Sequence, residues 1–159
     1  MPASQTRRSA TVQRTLGPSL TLFPVTTGEL ISRTCTTSWS DWSHGDLYLT
    51  PEALIRIRLP QPTPEAMRFR NTVGPRLQHR ELPPANEADR VLAADPTNRY
   101  ILLADVRAAR LHYGILSDRL ALTMGEGVSL KLLWLRFDPA LTVLQRELPA
   151  RVGTAFSLD

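Results

Sequence analysis

The stretch that decides the fold is Gly45–Arg58, GDLYLTPEALIRIR, which has the pattern of two short strands joined by a tight turn. Leu47 and Leu49 fall on one face of the first strand, and Ile55 and Ile57 share one face of the second. Alternation with a period of two is what a half-buried antiparallel strand requires. The proline of the intervening TPEA presets φ for the second position of a turn. The stretch therefore predicts a β-hairpin.

Length and composition predict one domain, and its net charge is compatible with an anionic partner. The chain has 159 residues, of which 42% are hydrophobic, and a net charge of +4. A basic balance suits lipid headgroups, nucleic acid or an acidic protein face, and its sign does not choose among them. Lys131 is the only lysine. The arginine excess fits either bidentate contacts to phosphate and carboxylate or the codon usage of a GC-rich genome.

Cysteine content and hydropathy bear on the compartment. Cys35 is the only cysteine, which excludes an internal disulfide and a metal site of several cysteines. A chain with so few thiols fits a reducing compartment. No apolar run reaches the roughly 18 residues that a membrane-spanning helix needs. We therefore expect a cytoplasmic protein, either free or peripheral to a membrane.

The chain divides into three parts by composition, and the middle part contains an insertion. The polar and basic residues 1–15 predict a disordered arm, and 16–149 predicts a single domain. Within it, the proline-rich segment 60–98 interrupts the strand pattern and predicts a long insertion, with two helical turns over 85–94. The last residues, 150–159, carry no clear signal and are expected to form a tail.

Strands are expected on both sides of the insertion, followed by one helix. The strand pattern is present at 28–42 and again at 100–106, where a bend is expected near 104–105. A second hairpin is expected over 119–137, with a turn at GEG. Asp138-Pro139 then predicts a helix start, with Asp138 as N-cap, and Pro149 predicts its end. The fold class is mainly β with one C-terminal amphipathic helix.

The order of these elements resembles that of GRAM and bacterial pleckstrin-homology-like (PH-like) domains. The matching residues are Gly28-Glu29, Gly45, Leu47, Tyr48, Leu49, Thr50, Leu103, Asp105 and Val106, and the final strand and helix are also similar. The resemblance implies a seven-stranded, strongly bent antiparallel sandwich or partly open barrel, capped by the C-terminal helix. It also implies a non-catalytic binding module whose relatives bind phosphoinositides or proteins or assemble with themselves. This chain lacks the basic cluster of the lipid-binding relatives in its first hairpin loop, which reads SDWSHG.

Arginines on predicted strands are one candidate contact surface. Arg56 and Arg58 share a strand face, and Arg68 and Arg70 could lie on a following strand. Four guanidinium groups on one sheet face would bind phosphates or an acidic partner. The alternative is an outward polar face that only solvates the sheet. The pair Arg107 and Arg110 allows the same two interpretations.

The loop between the first two strands is the other candidate. It holds Trp39 and Trp42, which would anchor a partner or a membrane interface if they were exposed. Alternatively, one of the two packs into the mouth of the barrel.

No catalytic, cofactor or metal motif accompanies these candidates. His44, His79 and His112 lack the spacing of a metal site, and no activated nucleophile or phosphate-binding glycine loop is present. We expect a binding module, acting by protein contact, self-assembly or weak attachment to anionic lipid, and needing no cofactor. The alternative is a nucleic-acid-binding module. A small enzyme with 60–98 as a lid is a third hypothesis.

Overall fold

A computed structural model describes residues 26–40, 43–59 and 79–159. Within these residues the chain forms nine β-strands and two α-helices. Short 3-10 helices lie at Ala85–Glu87, Leu103–Asp105 and Gly153–Ala155. The main elements are β1 (Thr26–Cys35), β2 (Gly45–Leu49), β3 (Ala53–Arg58), β4 (His79–Leu82), α1 (Ala88–Ala94), β5 (Arg99–Leu102), β6 (Val106–His112), β7 (Ser117–Met124), β8 (Ser129–Leu135), α2 (Ala140–Val152) and β9 (Phe156–Leu158).

The strands form two sheets. The first has the order β4-β1-β2-β3-β5 and is antiparallel throughout, and the second has the order β8-β7-β6-β9, in which β9 runs parallel to β6. The sheets meet at one corner, where Thr36 and Leu133 exchange backbone hydrogen bonds of 2.8 and 3.0 Å. Within the described residues they do not close into a barrel. The predicted fold class, mainly β in a partly open sandwich with a C-terminal helix, is confirmed.

The main core lies between the two sheets and under α2. Trp134, Leu120 and Leu132 contribute from the second sheet, and Leu144 contributes from α2. All four side chains are fully buried. Since α2 presents its apolar stripe to both sheets, it fills the open side of the sandwich.

The hairpin of β2 and β3 forms as predicted, with pairs from Gly45 with Arg58 to Leu49 with Leu54. Thr50 closes its turn. The Thr50 hydroxyl accepts a 2.9 Å hydrogen bond from the Ala53 N–H, and the Thr50 N–H donates to the Ala53 carbonyl at 2.9 Å. A polar side chain that bonds to the nearby backbone is what favours threonine at turns.

The residues of β3 divide between two faces as the alternation predicts, but the face that carries Arg56 points to the main core and not outward. Leu54 lies in the main core, whereas Ile55 lies in a second cluster on the other side of the sheet, with Ile57 packed against it. That side is covered by Val91 of α1 and Leu82 of β4. Alternation tells which residues share a face, but a sheet covered on both sides gives no polar face to mark the outside.

The described part of the 60–98 insertion is therefore part of the domain. Asn98 joins it to the hairpin: its side-chain oxygen accepts a 2.7 Å hydrogen bond from the Arg58 N–H, and its amide donates to the Val91 carbonyl at 2.8 Å. The helix expected over 85–94 is present as a 3-10 turn followed by α1, and it ends at Asp95. Residues 60–78 lie outside the described residues, as do 1–25 with the expected N-terminal arm.

The bend expected near 104–105 is present as the 3-10 turn between β5 and β6. Two expectations for α2 are wrong. Pro139, not Asp138, is its N-cap residue, and the helix continues through Pro149 to Val152. It ends at Gly153, whose φ of 60° suits glycine.

The expected tail at 150–159 is also wrong. These residues complete α2 and then form β9, which pairs with β6 from Ala109 with Phe156 to Leu111 with Leu158. A three-residue strand has too short a pattern to stand out in a sequence.

Candidate functional site

Arg56 does not belong to a surface. Its side chain is 0% exposed, and its Nε donates a 3.2 Å hydrogen bond to the Cys35 carbonyl. The two Nη atoms donate to the carbonyls of Thr97 and Ser43. The expectation of an outward Arg56 is wrong because this side chain shares the inner face with Leu54. Its guanidinium joins three segments that are distant in sequence.

Gly45 makes room for this guanidinium. A Cβ at residue 45 would lie 3.2 Å from Cζ and Nε of Arg56 and 2.7 Å from the Ile57 carbonyl oxygen. Contacts that close exclude any side chain at this position. The start of β2 therefore requires glycine where Arg56 is buried.

Arg58 is partly exposed but already paired. Its side chain is 39% exposed, and Nη1 lies 2.8 Å from Oδ2 of Asp95. Asp95 Oδ1 also accepts hydrogen bonds from the Thr97 hydroxyl at 2.6 Å and the Thr97 N–H at 2.8 Å. These bonds, with that from Arg58, lower the pKa of Asp95 from 3.8 to about 2. The charge of Arg58 is thus matched within the fold.

Of the other candidate residues from the sequence, one is exposed and three lie outside the described residues. Trp39 is 75% exposed, so it does not pack into the sandwich. Trp42, Arg68 and Arg70 lie outside the described residues. Of the two described arginines, Arg56 is buried and Arg58 is paired with Asp95, whereas the contact roles of Arg68, Arg70, Trp39 and Trp42 stay predictions.

A different set of cations shares the outward face of the second sheet. Arg110 of β6 and Lys131 of β8 both pair with Ala121 of β7, so the three residues form one cross-strand row. Arg119 lies in the next row, between His112 and Leu133. We call the outward side chains of Arg110, Arg119 and Lys131 the basic face.

The basic face has a uniform sign of charge. Strands β6 to β9 contain one acidic residue, Asp118, which is fully buried on the inner side. Arg110 and Lys131 are exposed, and Arg119 is half-buried. Because no carboxylate shares the outward side of these four strands, the potential above it is positive.

Exposed apolar side chains gather at one end of the same sheet. Ile115 and Leu116, in the loop between β6 and β7, are 87% and 78% exposed, and Phe137, after β8, is 74% exposed. We call the following set the apolar end: Tyr113, Ile115, Leu116, Leu135, Phe137 and Leu158.

Backbone contacts hold the apolar end together. The Arg136 N–H donates to the Leu116 carbonyl at 3.2 Å, and the Arg136 guanidinium lies 4.4 Å from the centre of the Tyr113 ring. Cation–π contact at this distance is favourable. The Tyr113 N–H donates to the Asp159 carbonyl at 3.3 Å, which brings in the end of β9.

The tip of the β6–β7 loop has a fixed shape. The Gly114 N–H donates a 3.1 Å hydrogen bond to Oδ1 of the buried Asp118. A Cβ at residue 114 would lie 1.9 Å from the Ser117 carbonyl oxygen, so the turn requires glycine. This tight turn directs Ile115 and Leu116 away from the core.

The sequence contains one sign of the apolar end, although the strand and helix patterns do not predict it. Ile115 and Leu116 are apolar residues in a turn, where polar ones are the rule. The interpretation of 128–137 as a single strand placed Phe137 within it, whereas β8 ends at Leu135.

No protein-family model and no curated protein matches this chain. Among residues 26–40, 43–59 and 79–159, no group of three or more His, Cys, Asp or Glu side chains could hold a metal ion. The two described helices lack the length and apolar content that crossing a membrane requires.

Proposed function

We propose that this chain is a non-catalytic binding module of the PH/GRAM-like type, which attaches to an anionic surface through its basic face. The observation that carries the proposal is the row in which Arg110 and Lys131 flank Ala121 on a sheet face without carboxylates. Cations arranged in this way attract an anionic partner and contact its phosphates or carboxylates.

The order of elements supports the PH/GRAM-like type. Strands β1, β2, β3 and β5, then β6, β7 and β8, then α2 follow the order that the resemblance implies. The two remaining strands, β4 and β9, are additions at sheet edges. A shared fold does not assign a function, so the partner is argued from the surface alone.

Three exposed arginines elsewhere in the described residues are paired with carboxylates, which supports the choice of the basic face by contrast. Arg58 is bonded to Asp95, Arg90 lies 3.4 Å from Glu87, and Arg146 lies 2.8 Å from Glu147. A cation beside a carboxylate offers little net charge to a third group. The basic face differs because its strands place no acid beside it.

A binding role without catalysis fits the use of the buried polar groups. Arg56 and Asn98 bond to backbone groups of separate segments, and Asp138 bonds to β1. In this proposal the protein is cytoplasmic and attaches peripherally to its partner. A nucleic acid is the second candidate, because phosphates in a row would also suit the basic face.

Co-sedimentation with vesicles of phosphatidylcholine and phosphatidylserine tests the proposal. Near an anionic membrane each Lys or Arg is worth about 1 kcal/mol. The double variant Arg110→Gln/Lys131→Gln should therefore bind about 30-fold more weakly at low salt. Added salt should weaken binding of the wild type.

The matched control is Arg90→Gln/Arg146→Gln, which removes the same two charges from exposed positions outside the basic face. Binding close to that of the wild type is expected for it. Equal losses for the two double variants would mean that net charge alone drives attachment, and the basic face would lose its role.

A further inference from the structure

We infer that the anionic partner is a lipid bilayer, and that the apolar end inserts into it while the basic face meets the headgroups. The inference rests on the proposed function, because it names the partner of the basic face. Its first support is the grouping of the exposed apolar residues. Nine large hydrophobic side chains are exposed in the described residues, and six of them belong to the apolar end. Single exposed hydrophobic residues are ordinary, but a contiguous group marks an interaction site.

Strand directions explain why the six residues come together. β7 runs antiparallel to β6 and β8, while β9 runs parallel to β6. The ends of β6, β8 and β9 and the start of β7 therefore share one end of the sheet. The exposed acidic residues Asp105 and Glu126 lie at the opposite end, before β6 and in the β7–β8 turn. At the apolar end, Asp118 is buried, Asp138 accepts hydrogen bonds from β1, and Asp159 is exposed at the end of β9.

The cations lie at depths that suit a membrane surface. Arg136 lies between Leu135 and Phe137 of the apolar end and stacks on Tyr113. At a strand rise of about 3.3 Å per residue, Arg110 lies about 10 Å from Tyr113, and Lys131 lies about 13 Å from Leu135. The headgroup layer is about 7 Å thick on each side of a bilayer, and the Debye length is about 8 Å in physiological salt. With Ile115 and Leu116 in the hydrocarbon, the whole basic face stays within reach of the headgroup charge.

Tyr113 and Arg136 also have the chemistry of the interface layer. A tyrosine places an apolar ring against the acyl chains and a hydroxyl among the headgroups. An arginine at this depth places its apolar stem against the acyl chains and its guanidinium among the lipid phosphates. Asp159 is exposed beside Leu158. Because a carboxylate stays out of the hydrocarbon, Leu158 lies at the margin of the inserted patch.

Other partners use only part of this surface. A nucleic acid would contact the basic face but leave Ile115, Leu116 and Phe137 in water. A second copy docked through the same end would bring two copies of Arg136 together. Like charges brought together at an interface oppose association. A bilayer of anionic lipid alone satisfies the apolar end and the cations together.

Entry into the bilayer requires no refolding of the β6–β7 loop. The Asp118 carboxylate accepts a hydrogen bond from the Gly114 N–H, and the Leu116 carbonyl accepts one from the Arg136 N–H. Both bonds fix the tip of the loop. Preformed apolar tips lose little conformational freedom on binding, which favours attachment.

Site-specific labelling tests insertion directly. Cys35 is the only cysteine and is fully buried. A polarity-sensitive fluorophore attached to Ile115→Cys should shift to the blue on addition of phosphatidylcholine/phosphatidylserine vesicles. The matched control is Val128→Cys, which is exposed in the β7–β8 turn at the opposite end of the sheet. It should show no shift. Equal shifts at the two positions, or none at Ile115→Cys, would overturn the inference.

Binding of serine variants separates insertion from charge attraction. The triple variant Ile115→Ser/Leu116→Ser/Phe137→Ser should bind the same vesicles about tenfold or more weakly, because each side chain loses its transfer into hydrocarbon. The control, Leu92→Ser/Val128→Ser, changes exposed apolar residues elsewhere and should bind like the wild type.

The outcomes distinguish the two proposals. If the triple serine variant binds normally while Arg110→Gln/Lys131→Gln does not, insertion is refuted and the basic face stands. If the wild type does not bind anionic vesicles, and also fails to bind single-stranded DNA, both proposals fail. Displacement of the vesicles by DNA, or an oligomer in solution that the serine variants dissociate, would assign the surface to nucleic acid or to a second copy and overturn the bilayer.

Discussion

The Asp138 carboxylate accepts a 2.6 Å hydrogen bond from the Ser32 hydroxyl, although the two residues are 106 positions apart. The same oxygen, Oδ2, accepts from the Thr34 hydroxyl at 2.6 Å and from the N–H groups of Arg33 and Thr34 at 3.2 Å. The carboxylate that the sequence assigned to capping α2 thus fixes the start of α2 to β1. It holds the helix across the opening between the two sheets.

Replacing this carboxylate should destabilise the whole domain. Asp138→Ala leaves the hydroxyl and N–H donors of β1 without their charged acceptor, and hydrogen bonds to charged groups contribute about 1.5–3 kcal/mol. We expect the free energy of unfolding in urea to fall by about 3 kcal/mol, and less for Asp138→Asn. The exposed Asp105→Ala is the matched control and should change it by about 0.5 kcal/mol or less. A similar loss in the control would remove the special role of Asp138.

Arg56 should prove structural and not part of the contact surface. Arg56→Lys keeps the charge, but an ammonium group cannot reach the carbonyls of Cys35, Ser43 and Thr97 together. We expect a loss of about 2–3 kcal/mol in urea unfolding, against about 0.5 kcal/mol or less for Arg58→Lys on the same strand. Vesicle binding per folded molecule should be unchanged. Weakened binding with normal stability would return Arg56 to the surface.

Local patterns in the sequence were sufficient for most of the elements, although not for the short strand β9. The β2–β3 hairpin, the bend after β5 and the existence of α1 and α2 each follow from the residues within one element and its turn. The inward face of β3 did not follow, because the insertion covers the side on which Ile55 lies and buries it as well. Which side of a sheet faces the main core depends on segments far away in sequence.

The site was less predictable than the fold for the same reason. Arg110 and Lys131 share one row only through the pairing of β6 and β8 with β7, and Leu116 meets Arg136 only where two loops converge. Neither grouping has a spacing that a sequence could display. Asp138 similarly carried a strong local signal for an N-cap that a distant strand overrode.

The Asp95 carboxylate should make stability depend on acid pH. Its pKa falls from 3.8 to about 2 in the folded protein. The folded state therefore keeps the carboxylate ionised where the unfolded chain takes up a proton, so its contribution is complete above about pH 4 and is lost as the pH falls toward 2. Asp95→Asn should be less stable than the wild type at pH 7, and the gap in urea midpoints should close between pH 4 and 2. An unchanged gap at pH 2 would show that the ionised form is not what stabilises the turn.

The described part of the 60–98 segment should unfold together with the first sheet, as the β2–β3 hairpin does. Asn98 is buried and connects the Arg58 N–H with the Val91 carbonyl, so Asn98→Ala leaves both backbone groups without this partner. We expect a loss of about 2–3 kcal/mol in unfolding free energy. The exposed Asn86→Ala is the control and should lose about 0.5 kcal/mol or less.

Hydrogen exchange then tells which part of the molecule depends on this bridge. In Asn98→Ala, amides of α1 and of β3 should lose protection together, because Val91 of α1 covers Ile55 of β3 in one apolar cluster. Loss of protection confined to α1, with β3 unchanged, would mean that the helix opens independently of the sheet. Since β6 to β8 lie in the other sheet, vesicle binding by the apolar end and the basic face should persist in this variant while it remains folded.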